Sequence, residues 1–311
     1  QTLNGCESDR VKVTVTINPL PILTAMADQP TICKESSTNL KGTGADSYSW
    51  SIKGSSGSEI GTGAIFAVSP VATTTYILTG TNTSGCVSTA EVTVTVEEKS
   101  VAGTITGSSN VCISANSGSL ILSGQVGNIV NWEKSLDGNT WTPINPINTT
   151  TTFNFNNLTQ DTWFRAEVKN GASCESIYTE GFKIIVDPLP VGGELLFGED
   201  RVFMVCENPT PGYARALSFQ NFSGSIVAWR YRASTATQWT TISIGGTPFT
   251  GTSLTGAQIE DLNISQSSVF QVEVSSGSCS PNAFSRTAIF SIIPSDIEPT
   301  PVTVNPTQVC L

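Results

Sequence analysis

The chain has 311 residues, a charged fraction of only 13%, a formal net charge of −10 and no histidine. The missing histidine excludes Ser-His-Asp and Cys-His nucleophile activation and every histidine-containing zinc or haem site. The acidic balance, unbroken by any cluster of lysine and arginine, argues against nucleic acid or an anionic membrane surface as a partner.

Composition also indicates the compartment. Thr, Ser, Gly and Asn take the place of the missing charges, which is typical of an extracellular β protein. No apolar run approaches the roughly 18 to 20 residues of a membrane helix, so we expect no membrane insertion. Eight cysteines without a CxxC pair disfavour metal and thioredoxin chemistry and favour disulfides formed in an oxidising, exported setting. We expect no cofactor.

A repeated phrase joins a cysteine to an alternating strand segment. GCESDRVKVTVTI at residues 5–17 returns almost unchanged as GCVSTAEVTVTV at residues 85–96, with looser versions at residues 173–186 and 278–293. The cysteines of this phrase follow a Gly/Ser turn, and we call them late cysteines: Cys6, Cys86, Cys174 and Cys279. Four early cysteines instead follow a β-branched residue: Cys33, Cys112, Cys206 and Cys310.

Successive early cysteines stand roughly 80 to 100 residues apart, the length of one β-sandwich domain. Short Val, Ile, Thr and aromatic runs alternate with Gly, Pro, Asn and Ser turns, without a sustained helical period. The predicted fold class is all-β, as tandem immunoglobulin-like β-sandwich domains arranged end to end. The predicted boundaries are 1–19 for the last strand of a preceding repeat, 20–98, 99–189 and 190–294 for repeats 1 to 3, and 295–311 for the start of a following repeat.

Each repeat carries a tryptophan near its middle and an aromatic residue about ten positions before its late cysteine. Aromatic side chains on facing sheets fill the core of a two-sheet sandwich. The predicted core residues are Trp50, Trp132 and Trp229, with Tyr76, Phe164 and Phe270 on the opposing strands.

Linker and turn signals support these boundaries. The phrase N/D-P-L-P occurs at residues 18–21 and 187–190, and two prolines one residue apart favour an extended, semi-rigid connection. Residues 97–100, EEKS, replace that phrase at the boundary between repeats 1 and 2. Within repeat 2, Asp137-Gly138 predicts a two-residue hairpin turn between Trp132 and Trp141.

These residues resemble the immunoglobulin-like repeats of very large surface proteins of gliding bacteria, SprB-type adhesins and other type IX secretion cargo. The matching phrases are TICKESSTNLKGTGADSYSW, SPVATTTYILTGTNTSGCVSTAEVTVTV and NPLP in repeat 1, and the W…DGNTW hairpin with GASCES in repeat 2. YSW in repeat 1 is partly similar to a PKD domain, although the acidic glycine turn expected after that tryptophan is missing. The resemblance implies a nonenzymatic array displayed on the bacterial surface.

Three disulfide pairings respect the repeat. Pairing within repeats, which the small size of exported domains favours, joins 33 with 86, 112 with 174 and 206 with 279, and leaves Cys6 and Cys310 for neighbouring repeats. Pairing of cysteines adjacent in the chain, 6 with 33 and so on, leaves none free. A third, staggered pairing joins Cys33 to Cys174 and Cys112 to Cys279 across the domain boundaries.

Topology is the argument for staggered pairing. In an immunoglobulin-like sandwich the early cysteine lies at the C-terminal end of the domain and the late cysteine at the N-terminal end. A strand of seven or eight residues spans roughly 25 Å, whereas a disulfide needs Cα atoms within about 7 Å. Stacking end to end would bring the early cysteine of one repeat beside the late cysteine of the next.

Other candidate chemistry has a simpler interpretation. The adjacent carboxylates, at residues 97–98, 199–200 and 260–261, all stand in or beside turns or linkers, so we expect a solvated surface rather than a general acid and base. Asp137 and Asn139 could bind Ca²⁺, but no DxDxDG loop is present. Trp163 is the best candidate for a surface contact with a polysaccharide, because its neighbour Phe164 takes the core position; Trp141 and Trp239 are the other candidates.

The sequence therefore predicts a structural stalk segment of a bacterial cell-surface adhesin or filament, with gliding or attachment as its setting. Its partners would be neighbouring repeats of the same chain and, by way of Trp163, a surface polysaccharide. The alternative is a spacer and carbohydrate-binding region of a secreted polysaccharide-degrading enzyme. We expect no enzymatic activity within the 311 residues.

Overall fold

A computed structural model describes residues 11–55 and 58–294, together with the backbone of two short paired strands, β1 (Thr2–Leu3) and β2 (Cys6–Glu7). Cys6 thus lies in β2, while Cys310 and the predicted start of a following repeat lie outside the described residues. Residues 11–19 have no assigned secondary structure. The rest of the described chain forms three successive β-sandwiches.

Repeat 1 is a sandwich of two sheets. One contains three strands in the order β3-β5-β8, and the other contains five in the order β4-β10-β9-β6-β7. The strands are β3 (Thr24–Ala27), β4 (Thr31–Cys33), β5 (Thr38–Thr43), β6 (Ser47–Ile52), β7 (Glu59–Thr62), β8 (Ile65–Val68), β9 (Thr74–Thr81) and β10 (Val87–Glu97).

Repeat 2 has the same plan, with sheets β11-β13-β16 and β12-β19-β17-β14-β15, and β18 pairs with β17. The strands are β11 (Thr104–Gly107), β12 (Asn110–Cys112), β13 (Ser117–Ser123), β14 (Asn128–Ser135), β15 (Thr142–Pro143), β16 (Thr152–Asn156), β17 (Thr162–Lys169), β18 (Ile177–Tyr178) and β19 (Phe182–Asp187).

Repeat 3 again has sheets of this order, β20-β22-β27 and β21-β30-β28-β23-β24, with β29 paired to β28 and a small β25-β26 hairpin. A single helical turn, α1, precedes β28 and is closed by a capping box between Thr255 and Gln258. The elements are β20 (Glu194–Phe197), β21 (Val202–Cys206), β22 (Leu217–Gln220), β23 (Ser225–Ala233), β24 (Thr240–Thr241), β25 (Ser243–Ile244), β26 (Thr247–Pro248), β27 (Ser253–Leu254), α1 (Gly256–Glu260), β28 (Ser268–Ser276), β29 (Cys279–Phe284) and β30 (Ala288–Ile293).

The first strand of each repeat is divided between the two sheets, as in immunoglobulin-like domains. Its first half joins the small sheet antiparallel, and its second half (β4, β12 or β21) crosses to the large sheet and pairs in parallel with the last strand of the repeat. The early cysteine ends that second half, opposite Glu97, Asp187 or Ile293 at the end of the last strand. The chain is therefore an all-β tandem of immunoglobulin-like sandwiches.

The core of each sandwich surrounds one tryptophan. Trp50, Trp132 and Trp229 are fully buried, and each indole Nε1 donates a hydrogen bond to a backbone carbonyl oxygen, of Gly63 (3.0 Å), Thr150 (3.0 Å) and Gly251 (2.8 Å) respectively. Tyr76, Phe164 and Phe270 are also buried. The expectation that they lie on the facing sheet is wrong, because each stands on the strand next to the tryptophan strand in the same large sheet, β9 beside β6, β17 beside β14 and β28 beside β23. Burying the indole without losing its hydrogen bond lets the largest side chain of the repeat stabilise both sheets.

The predicted two-residue hairpin turn at Asp137-Gly138 is wrong. β14 and β15 pair only as far as Lys134 opposite Thr142, so a longer loop joins them. The Asp137 carboxylate organises that loop, because its Oδ1 accepts the backbone N–H groups of Asn139 (2.8 Å) and Thr140 (2.7 Å). These bonds to the charged form lower the pKa of Asp137. Hydrogen bonds to the side chain of Asp137 therefore close this loop, where the sequence predicts a two-residue backbone turn.

The tryptophan core gives the first testable prediction. Trp132→Ala should reduce the free energy of unfolding of repeat 2 by about 3 to 5 kcal/mol, because it leaves a large cavity between the sheets. Trp163→Ala removes an indole of the same size from the outward side of the neighbouring strand and should cost less than about 1.5 kcal/mol. Hydrogen exchange of β14 and β17 peptides at increasing denaturant measures both. Equal losses would contradict the assignment of the core.

Candidate functional site: the junctions between repeats

The two cysteines of one repeat lie at opposite ends of its sandwich. In repeat 1, Cys86 immediately precedes β10, while Cys33 is opposite Glu97 at the other end of the same strand. β10 has eleven residues and spans about 35 Å at roughly 3.3 Å per residue. A disulfide cannot bridge that length.

The disulfides instead join consecutive repeats. Cys33 of repeat 1 is bonded to Cys174 of repeat 2, with Cα atoms 4.8 Å apart, and Cys112 of repeat 2 is bonded to Cys279 of repeat 3, with Cα atoms 4.7 Å apart. These are the staggered bonds, early cysteine to late cysteine of the next repeat. Each crosses a domain boundary, with sequence separations of 141 and 167 residues.

Pairing within repeats, which the usual behaviour of small exported domains favours, is therefore wrong, and so is pairing of cysteines adjacent in the chain. Pairing within repeats fails for a geometric reason, since it requires a bond along the length of a sandwich. Pairing of adjacent cysteines fails because each such pair contains a cysteine that is bonded elsewhere. Cys206 is also disulfide-bonded. Cys86 is a partly buried free thiol.

Backbone and carboxylate groups reinforce the first junction. Glu97, the last residue of β10, extends its carboxylate into the turn before the late cysteine of repeat 2, where Oε2 accepts the N–H of Ser173 (2.9 Å). The Ser173 hydroxyl donates in turn to the carbonyl oxygen of Thr31 in β4 (3.0 Å). Asn170 donates from Nδ2 to the carbonyl oxygen of Glu98 (2.7 Å). Repeat 2 is thus hydrogen-bonded to both the first and the last strand of repeat 1.

Two ion pairs flank the same disulfide. Lys34 Nζ lies 3.0 Å from Glu98 Oε2, and Lys99 Nζ lies 2.5 Å from Glu35 Oε2, so the residues after Cys33 face linker residues of opposite charge. The hydrogen bond from Lys99 lowers the pKa of Glu35. All four side chains are largely exposed, so each pair contributes little by itself. Their alternating signs favour one placement of the linker beside the residues that follow β4.

The second junction repeats the arrangement with a shorter acid. Asp187, the last residue of β19, accepts at Oδ2 both the N–H (2.7 Å) and the hydroxyl (2.6 Å) of Ser278 in the turn before Cys279. These two bonds lower the pKa of Asp187. In both junctions, therefore, a carboxylate at the end of one repeat satisfies the turn that carries the late cysteine of the next.

Glycine is favoured at both turns. Gly171 and Gly277 have φ of +64° and +45°, and a Cβ atom built on them would stand 2.1 Å from the Glu97 carboxyl carbon and 2.0 Å from Asp187 Oδ2. Gly85 in repeat 1 has φ of +77°, but a Cβ atom there would meet nothing within 4 Å. The glycine before the late cysteine thus makes room for a carboxylate from the preceding repeat.

The outward aromatics are covered by their own neighbours. The Arg165 guanidinium lies between Trp141 (4.3 Å) and Tyr178 (4.0 Å) and pairs with Glu133. Lys183 lies over Trp163, which is itself only partly exposed.

Repeat 3 has a similar stack, in which the guanidinium groups of Arg230 and Arg232 each lie 4.9 Å from the ring of Trp239. Cation–π contacts of this kind stabilise the sheet surface.

Several of the candidate acids have structural partners, whereas Glu199 and Asp200 are exposed, as expected for a solvated surface. Glu97 and Glu98 belong to the first junction, and Glu260 accepts the backbone N–H groups of Gly212 (3.0 Å) and Ala214 (2.9 Å), which lowers its pKa. Both Asp137 oxygens are occupied within its own loop. Across residues 11–55 and 58–294, no group of three His, Cys, Asp or Glu side chains is arranged to hold a metal ion.

Comparisons with known proteins add little beyond the fold. A family described as a domain of unknown function (DUF8696) matches residues 101–188, the extent of repeat 2. No curated protein matches the chain.

Solved structures with similar folds share few identical residues. A Ca²⁺-stabilised adhesin with which an Antarctic bacterium binds ice is 13% identical, with a TM-score of 0.38 over 89% of this chain and 75% of its own. A 1.5-MDa bacterial ice-binding adhesin is 12% identical, with a TM-score of 0.36 over 89% of this chain and 100% of its own. Titin domains A168–A170 are 15% identical, with a TM-score of 0.34 over 87% of this chain and 97% of their own.

The described part of the chain contains no helix with the length and apolar character needed to cross a bilayer.

The role of the turn glycine can be tested with a matched pair of variants. Gly277→Ala and Gly85→Ala both place a side chain at positive φ, which costs about 1 to 2 kcal/mol, but only Gly277→Ala also displaces the Asp187 carboxylate. We expect dithiothreitol to reduce the Cys112–Cys279 bond several-fold faster in Gly277→Ala and at the wild-type rate in Gly85→Ala. Thiol labelling and mass spectrometry measure both rates. Unchanged reduction in Gly277→Ala would contradict the role of the carboxylate.

Acid should loosen the second junction. Because the pKa of Asp187 is lower in the folded protein than in the unfolded chain, its contribution is fully present above the unfolded value of about 3.9. That contribution is lost as the pH falls through the lowered value. We expect the amide resonance of Ser278 to shift in that acid range in an NMR titration. Asp187→Asn keeps an acceptor oxygen but does not titrate, so the Ser278 amide resonance of this variant should stay constant. A shift of equal size in the variant would show that a group other than Asp187 causes the effect.

Proposed function

We propose that the chain is a force-bearing stalk segment of an exported bacterial cell-surface adhesin or filament. The observation that carries the proposal is the pair of disulfides between consecutive repeats, Cys33–Cys174 and Cys112–Cys279. A bond inside a domain stabilises that domain alone. A bond between domains fixes the angle and separation of two sandwiches, which serves a protein that must hold a distal region away from its anchor.

The noncovalent contacts support the same function. Near its disulfide, the first junction is held by the Glu97 carboxylate and the Asn170 amide, and the second by the Asp187 carboxylate. Several attachments around one interface restrict bending in more than one direction. A linker of two or three free residues would leave the angle between two sandwiches open.

The disulfides also support an oxidising setting for the protein, because such bonds persist in exported proteins. Together with the sequence resemblance to repeats of gliding-bacteria adhesins, they support a location on the bacterial surface, where gliding or attachment would load the stalk. The polysaccharide-binding alternative rests on Trp163 and the neighbouring tryptophans. Its support is weaker, since Arg165, Lys183 and Arg230 already lie against these rings.

Disulfide mapping and solution scattering test the proposal together. Nonreducing digestion of the wild-type chain should yield linked peptides joining Cys33 to Cys174 and Cys112 to Cys279. Small-angle scattering should then show a narrow distribution of maximum dimensions. The double variant Cys112→Ser/Cys279→Ser should broaden that distribution, because the second junction keeps only its noncovalent contacts.

Cys86→Ser is the matched control, since it removes a free thiol and should leave the distribution unchanged. Linked peptides within repeats would overturn the proposal. So would an unaltered distribution in the double variant, which would show that the disulfides do not determine the shape of the array.

A further inference from the structure

The late cysteine of repeat 1, Cys86, forms no disulfide in the described part of the chain. Cys86 occupies the position of Cys174 and Cys279, directly after a turn with a glycine at positive φ, yet its thiol is free. Both equivalent cysteines are bonded to an early cysteine of the repeat before them. A free thiol alone indicates no partner, but the residues around Cys86 indicate one.

The surroundings of Cys86 resemble those of the bonded cysteines in their backbone contacts, although Asn18 stands where Glu97 and Asp187 carry a carboxylate. Asn82 donates from Nδ2 to the carbonyl oxygen of Pro19 (3.0 Å), as Asn170 does to Glu98. The Cys86 Sγ atom lies 3.7 Å from the carbonyl oxygen of Asn18, and Cys279 Sγ lies 3.3 Å from that of Asp187. The linker before repeat 1 therefore lies against repeat 1 as the later linkers lie against repeats 2 and 3.

The segment before that linker, residues 11–17, has the alternating sequence pattern of a strand but no assigned secondary structure. Counted back from Asn18, the side chains of Val13, Val15 and Ile17 fall at the positions that Phe182, Ile184 and Val186 hold before Asp187, and those three pack into the core of repeat 2. Val13, Val15 and Ile17 are instead 79%, 79% and 89% exposed. An alternating apolar face of this kind is the inner face of a last strand.

Register then locates the missing partner. In repeats 1 and 2 the early cysteine stands opposite the residue that ends the last strand, Cys33 opposite Glu97 and Cys112 opposite Asp187, in parallel pairing. The corresponding residue here is Asn18. A first strand paired in parallel with residues 11–18 would bring its terminal cysteine opposite Asn18, whose carbonyl oxygen already lies beside Cys86.

We infer that Cys86 forms an interdomain disulfide with the early cysteine of a further sandwich, one that uses residues 11–17 as its last strand. The partner is a repeat preceding residue 11 in the same polypeptide, because a last strand belongs to the chain that forms the rest of its sandwich. Its recognisable feature is a short strand ending in a β-branched residue and cysteine. The inference rests on the proposed function and extends the same junction by one repeat.

The bond forms by thiol–disulfide exchange. The Cys86 Sγ and the partner Sγ become bonded, each thiol loses its proton, and the two electrons reduce the disulfide of a thiol–disulfide oxidoreductase to a dithiol. The glycine turn and Asn82 fix the backbone around Cys86 before the bond forms.

Thiol mapping of the natural protein, isolated from its own cells with iodoacetamide present at lysis, tests the inference. Nonreducing digestion should recover the Cys86 peptide linked to a peptide that carries a β-branched residue before its cysteine and originates upstream of residue 11. The 311-residue chain expressed alone should give carbamidomethylated Cys86. In the Cys86→Ser variant of the natural protein, the upstream cysteine should become carbamidomethylated.

The outcomes separate this inference from the proposed function. Carbamidomethylated Cys86 in the natural protein, with Cys33–Cys174 and Cys112–Cys279 intact, would overturn the inference and leave the proposed function standing. Cys86 linked to a second copy of the chain or to an unrelated protein would also overturn the inference. Loss of the other two bonds would overturn the proposed function itself.

Discussion

The parallel pairing of the divided first strand with the last strand is the constraint on which the junctions depend. It carries each early cysteine to the C-terminal end of its sandwich, level with Glu97 in repeat 1 and Asp187 in repeat 2. The late cysteine lies at the other end of its sandwich, directly after the glycine turn. Antiparallel pairing of β4 or β12 would reverse its direction and move the early cysteine away from the boundary. The strand order of a single domain thus decides which cysteines can meet between domains.

The polar contacts at the junctions lie beside the disulfides and hold the same two sandwiches together. Ser173 and Ser278 present backbone N–H groups that the turn itself leaves without an acceptor, and a carboxylate from the preceding repeat accepts them. Satisfying such donors across the boundary makes one relative placement of two sandwiches more favourable than others. That placement also brings the two sulfur atoms together. The hydrogen bonds therefore specify the geometry, and the covalent bond makes it permanent.

The sequence predicts the sandwiches more readily than the contacts between them. Trp50, Trp132 and Trp229 stand in clear strand patterns, and alternation is a local property that a sheet preserves. Disulfide partners are decided by topology over 141 and 167 residues, so the spacing of cysteines left three pairings open. The only sequence feature that marks the acids of the junctions is a carboxylate at the end of a last strand, which is too common to predict their role. The hairpin turn predicted at Asp137-Gly138 is wrong because the side chain of Asp137, rather than its backbone, forms the turn.

The overlap of the two disulfide-closed segments has a consequence for resistance to proteolysis. Cys112 lies inside the segment closed by Cys33–Cys174, and Cys174 lies inside the segment closed by Cys112–Cys279. A protease that cuts any one peptide bond from residue 33 to residue 279 therefore leaves the two products covalently attached. Bonds within repeats would leave both linkers, the segments most open to cleavage, without that protection. The staggered arrangement makes the covalent continuity of the array redundant at its most vulnerable points.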